Sequence, residues 1–156
     1  MLGRTRNKRQ LEIFEVPIER FISPKHELVI GADQIDWESL EESFKPFYST
    51  KGRRSVPPRK IIGMMLLKER FNLSDEKVLK IWPENPYWQY FCGEIHFQAE
   101  KPFSPSELTR FRHRIGEPGH EVMRNVSLKQ FGVPDGKTYE SYSDRRKRSF
   151  WKKIIG

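Results

Sequence analysis

The side chains with the most to offer chemically lie between residues 106 and 114: Ser106, Thr109, Arg110, Arg112, His113 and Arg114. On a helix, where successive residues turn by about 100°, Leu108, Phe111 and Ile115 share one side and face a core. Ser106, Thr109, Arg110 and His113 take the opposite side, with Arg112 and Arg114 on the flanks. No acidic residue follows Glu107 before the glycine at 116. Hydroxyls, an imidazole and guanidinium groups are donors for phosphates and base edges. A short helix enters the major groove, about 12 Å wide, where arginine pairs with guanine and smaller polar groups make adaptable contacts. A solvated helix face has the same composition and is the commoner object.

A second group is Lys51, Arg53, Arg54, Arg59 and Lys60, five basic residues with no acidic one among them. Such a cluster suits phosphate contacts, which position a protein on DNA without reading its sequence. Catalytic chemistry finds little to work with. His26, His96, His113 and His120 have no partner at a recognisable motif spacing. Glu38, Glu41, Glu42, Asp75 and Glu76 fall on helix faces and helix starts, whereas two-metal nucleases draw their carboxylates from facing strands and loops. There is no glycine-rich phosphate loop, and Cys92 with scattered histidines makes no zinc pattern.

These residues need helices to hold them. Ser104-Pro-Ser-Glu107 reads as a capping box that opens the helix 105–115, with Gly116 as its stop. The strongest element is 57–70. Proline suits its first turn, and from Ile61 to Leu67 every residue but Gly63 is large and apolar, so the helix must be enclosed by others. Ser74 caps the next helix, 74–82, which Pro83 ends. The spacing of 57–70 and 74–82 is that of a helix-turn-helix unit, and equally that of any helical hairpin. Asp36 caps a helix carrying Trp37, Leu40, Phe44 and Phe47. Asn85-Pro86 starts a short one through Phe91, closed by Gly93. A further helix runs from about Pro118 to Phe131. Pro17 and Pro24 break the first thirty residues into short pieces. The aromatic run Tyr87, Trp88, Tyr90 and Phe91, with Phe97 and Phe103, belongs to the core, since no basic residue interleaves it as on single-strand platforms.

The 156 residues carry a net charge of +8, distributed unevenly. Residues 1–10 hold four basic side chains and no acidic one, and 137–156 have a net of +5, so 11–136 is nearly neutral. Basic ends on a neutral body point to polyanion partners and say nothing of the fold. No apolar run is long enough for a membrane span or a signal peptide. A single cysteine forms no internal disulfide. The expectation is a soluble protein of a reducing, cytoplasmic compartment.

Several runs occur in a telling order: Lys25-His-Glu-Leu-Val29, Asp33-Gln-Ile-Asp-Trp37, Phe47-Tyr-Ser49, Pro57 to Leu67 and Asn72-Leu-Ser-Asp75. Asn85-Pro-Tyr-Trp-Gln-Tyr-Phe-Cys-Gly93, Phe97-Gln98 and Pro102-Phe-Ser-Pro-Ser106 to Arg112-His-Arg-Ile-Gly116 follow. Together they resemble the N-terminal region of bacterial insertion-sequence transposases of the IS-five type, over roughly residues 10–131. The resemblance implies a helical domain that binds the terminal inverted repeats of a mobile element. In such transposases it precedes an RNase H-like domain whose Asp-Asp-Glu triad binds two divalent metals, Mg²⁺ in function. No position here matches that triad, so no catalytic residue, metal or cofactor is carried over, and Pro83 departs from the family pattern.

The expectation is therefore an all-α protein, a small helical bundle containing a helix-turn-helix-like unit. Residues 1–15 form a basic arm, 16–131 the DNA-binding domain and 132–156 a basic, poorly ordered tail. The partner is double-stranded DNA in the bacterial nucleoid, with a second copy or full-length transposase as oligomer partner. The chain reads as a truncated or remnant transposase without enzymatic activity, able to compete for the element's ends. The alternative is a helical protein–protein module that mediates dimerisation, or a non-functional remnant.

Overall fold

A computed structural model of the chain describes residues 16–48 and 55–132. The arm at 1–15, the loop cations Lys51, Arg53 and Arg54, and the tail from 133 onward lie outside the described residues. Among those described there are six α-helices and no strand, only an isolated antiparallel bridge between Pro17 and His96. The helices are α1 (Glu27–Gln34), α2 (Trp37–Phe44), α3 (Pro58–Arg70), α4 (Asp75–Ile81), α5 (Pro86–Phe91) and α6 (Pro105–Phe131). The fold is all-α, as its periodicities predict.

The hydrophobic run in α3 dictates the arrangement. Every residue from Ile61 to Leu67 is buried, and α2, α4, α5 and α6 close around the helix. Each such aliphatic side chain contributes about 1.5–3 kcal/mol on leaving water. Gly63 lets the end of α5 come close: a Cβ there would lie 2.9 Å from Cys92 Sγ and 3.1 Å from Cys92 Cα. Burial also pushes the Cys92 thiol up to about 12, so it packs as a small apolar group.

Polar caps fix where the helices begin. The Asp36 carboxylate accepts from Ser39 N at 3.0 Å, Ser74 Oγ from Lys77 N at 3.2 Å, and Asn85 Oδ1 from Tyr87 N and Trp88 N at 3.0 and 3.2 Å. The capping box at 104–107 does not form. Ser104 makes no side-chain cap bond; its hydroxyl meets that of Ser106 at 2.7 Å, and the Glu107 carboxylate pairs with Arg110. The guanidinium one turn on competes for that carboxylate.

Two further departures from the sequence pattern are informative. Helix α1, for which no helix was expected, starts within the first thirty residues and runs on to Gln34. His26 caps it, its Nδ1 accepting from Leu28 N at 3.1 Å while its ring stacks on Tyr87 at 3.9 Å. The helix is stabilised by packing on α5, by Tyr90 Oη donating to Asp33 at 2.9 Å, and by Trp37 Nε1 donating to Ala32 O at 2.8 Å. The α5 partners are far away in sequence. The helices expected at 105–115 and 118–131 are both present, with no loop between them. Gly116 alone breaks the run, at φ 55° and ψ −161°, a backbone conformation open to glycine. Pro118 then sits in the first turn after the break. The second half returns to the core: Met123 is buried, Phe131 meets Phe91 at 6.0 Å, and Gln130 Nε2 donates to Gln34 at 3.1 Å.

The aromatic run behaves as core: Trp88 and Phe91 are buried, Tyr87 and Tyr90 half-buried. Beside them the fully buried Gln89 holds the turns on either side of α5. Its Nε2 donates to Trp82 O at 3.1 Å and Gln98 O at 2.8 Å, and its Oε1 accepts from Gln98 N at 2.7 Å. Replacing Gln89 with leucine keeps the volume and orphans these backbone groups, so Gln89→Leu is expected to lose about 2–3 kcal/mol in urea unfolding. A midpoint unchanged from the parent would show that this network is dispensable.

Candidate nucleic-acid interface

The first half of α6 is anchored from one side. Leu108, Phe111 and Ile115 are buried, and the Phe111 ring stacks on Phe44 at 5.9 Å. The other side carries Ser106, Thr109, Arg110, His113 and Arg114, all exposed. Thr109 Oγ1 accepts from Arg112 at 3.2 Å, Arg110 pairs with Glu107, and the Arg114 guanidinium lies over Tyr48, 5.3 Å from the ring centroid.

Arg112 is oriented differently. Its guanidinium clasps Asp75 with two parallel hydrogen bonds, 2.8 Å from Nη1 and 2.6 Å from Nη2. Lys68 Nζ adds a third contact to the same carboxylate at 2.6 Å. Lys68 lies in the last turn of α3, Asp75 in the first turn of α4 and Arg112 in α6. One carboxylate therefore joins three helices and fixes the outward face of α6 relative to the α3–α4 pair. Burial on its own would raise the Asp75 carboxyl. The hydrogen bonds and charges of Arg112 and Lys68 outweigh it and hold the group down to about 2. Sequence alone assigned Asp75 only a helix-start role, because nothing local links positions 37 residues apart.

The basic residues at the start of α3 also turn to protein partners. Arg59 lies over Trp37, 4.6 Å from the ring centroid, in space left open by Gly93, where a Cβ would come within 2.7 Å of its Cδ. Burial lowers its pKa from the ordinary value. Lys60 pairs with Glu94, both mostly buried, and sits 6.0 Å from the centroid of Trp82. A helix dipole disfavours cations at its N-terminus, and these partners account for their tolerance there. Of the basic cluster at 51–60, the described members Arg59 and Lys60 thus have partners within the protein, while Lys51, Arg53 and Arg54 are not described.

Helices α3 and α4 meet through the tight connection Phe71–Ser74, where Asn72 adopts φ 52° and Leu73 N donates to Lys68 O at 3.0 Å. The exposed side of α4 mixes Glu76, Lys77 and Lys80. Among the described residues no three of His, Cys, Asp or Glu converge as metal ligands, and no helix is long and apolar enough to cross a membrane.

The model for the transposase domain family DUF772 matches residues 16–114, which takes in α1 to α5 and the first half of α6. A curated protein of Rhizobium meliloti, named uncharacterized protein ORF8 in nfe locus, is 39% identical over 117 residues. The aligned region is 75% of this chain and 56% of that protein, so the chain spans about half the length of this relative. No solved structure matches.

The Asp75 junction makes a pH signature. A carboxyl held at about 2, against an ordinary 3.8, adds stability that is fully present above pH 5. That contribution is lost as pH falls through 4 and 3 toward 2, and amounts to about 2 kcal/mol. Asp75→Asn is expected to unfold more easily near neutrality and to show a flatter decline in acid. Parallel acid limbs for the two proteins in urea titrations would rule the junction out as the cause.

Proposed function

The chain belongs to the transposase domain family, and on that footing we propose that it binds DNA sequence-specifically, through the first half of α6. The observation that carries this reading is the helix itself. Its inner side is locked into the core and its orientation fixed by Arg112 on Asp75, while Ser106, Thr109, Arg110, His113 and Arg114 stay outward. A helix held this way presents base-reading donors without having to order them on binding, which lowers the entropic cost of association. The basic segment at 51–54 supplies phosphate contacts that set register. The target consists of the terminal inverted repeats of an insertion sequence of the IS-five type, and the chain is the end-binding part of that recombination machinery.

The two sets of residues have separable roles. Replacing Arg110 and His113 together with alanine is expected to weaken binding to the terminal repeat by about 1–3 kcal/mol for each bidentate base pairing removed. Binding to a scrambled duplex should change little. Replacing Arg53 and Arg54 should weaken both duplexes alike and flatten the slope of log K against log salt by roughly 0.9 for each phosphate no longer neutralised. Titrations of labelled duplex at several salt concentrations distinguish the two patterns. Equal affinity of the parent chain for repeat and scrambled duplexes would defeat the proposal; dimerisation without DNA affinity would favour an assembly role.

A further inference from the structure

Beside the outward face of the first half of α6 lies one acidic side chain, Glu107, whose first-turn position suits the helix dipole. Glu107 is the third residue of the helix and pairs with Arg110, its side chain 31% exposed and that of Arg110 66% exposed. Solvent-accessible pairs one turn apart contribute little to stability. Glu107 also does not complete a capping box, since Ser104 makes no side-chain cap bond and the two neighbouring serine hydroxyls bond each other.

On a surface that meets DNA, a carboxylate is repelled by every phosphate and accepts only from the amino groups in the major groove, cytosine N4 and adenine N6, of which cytosine N4 is its usual partner and the one that lies beside guanine. The guanidinium of Arg110 has its best partner in guanine O6 and N7. A single G·C pair presents those two acceptors and that donor side by side along its major-groove edge. The first residues of a recognition helix are the ones that reach base edges, and Glu107 and Arg110 are there.

We propose that Glu107 and Arg110 read a G·C pair as a unit, with arginine donating to guanine and glutamate accepting from cytosine. Glu107 is then a specificity-determining residue: it sharpens base choice and weakens attachment to DNA that lacks the pair. This inference rests on the DNA-binding reading given above. Arg112, committed to Asp75, and Arg114, over Tyr48, have other partners, which leaves the Glu107–Arg110 pair as the charged unit on this face most open to an incoming base pair.

The test uses the full chain and a library of randomised duplexes, with wild type, Glu107→Gln and Glu107→Ala enriched in parallel. Wild type is expected to select a motif containing a fixed G·C position and to prefer it over A·T there by about tenfold. Both variants should lose most of that preference at this one position, keep the rest of the motif, and bind scrambled duplex more tightly than wild type. Helical circular dichroism and melting close to the parent would confirm that the variants fold. Identical motifs for wild type and both variants would overturn the role of Glu107 and leave DNA recognition standing. Failure of wild type to enrich any motif would overturn both.

Discussion

Helix α3 is apolar on every side through its middle, and the rest of the domain follows from having to enclose it. The aromatic side chains of the core, Trp37, Phe44, Trp82, Trp88, Phe91 and Phe111, all come from the elements around it. Helices α2, α4, α5 and α6 each supply a narrow apolar stripe, and none would be stable alone. Enclosure of the middle of α3 also brings its charged ends against its neighbours. Arg59 and Lys60 at one end and Lys68 and Arg70 at the other must each find a partner as water is displaced. Trp37, Glu94, Asp75 and Glu27 provide them. The pairs of Lys60 with Glu94 and of Lys68 with Asp75, both largely buried, are thus consequences of enclosing α3.

Cationic side chains divide accordingly. The basic surplus of the sequence lies in its two ends, and within the nearly neutral body several cations are held by partners of the protein itself. Arg112 and Arg110 lie two positions apart on one helix. The first is clasped by a largely buried carboxylate and the second by a more exposed one. That difference in burial separates a side chain that orients the helix from one able to exchange partners, because a largely buried bidentate pair is costly to break and an exposed one is not.

Elements whose cause is local were legible in the sequence. The Ile61–Leu67 run, the caps at Asp36, Ser74 and Asn85, the break at Gly116 and the inward side of α6 all follow from composition and spacing. What escaped has long-range causes. Helix α1 depends on Tyr87, Tyr90 and Trp37; a histidine cap and an internal glycine give no periodic signal of their own. The bond between Asp75 and Arg112 joins positions that only the folded bundle brings together. The capping box failed for the opposite reason, since Arg110, a local competitor, offered Glu107 a charged partner. For the candidate surface, the outward positions of α6 were readable from helical geometry. The inward commitment of Arg59, Lys60 and Arg112 was not.

The single break at Gly116 also sets the reach of the domain. An unbroken helix of this length would extend about 40 Å and project into solvent. The bend instead folds the second half back along the bundle, where Phe131 packs on Phe91 and Gln130 bonds Gln34. The described chain therefore ends beside the last turn of α1, roughly 22 Å of helix away from the bend. Residue 132 itself is thus held off from the outward face of residues 106–114 by a length of helix, and the spacing between those two points is set by helix geometry.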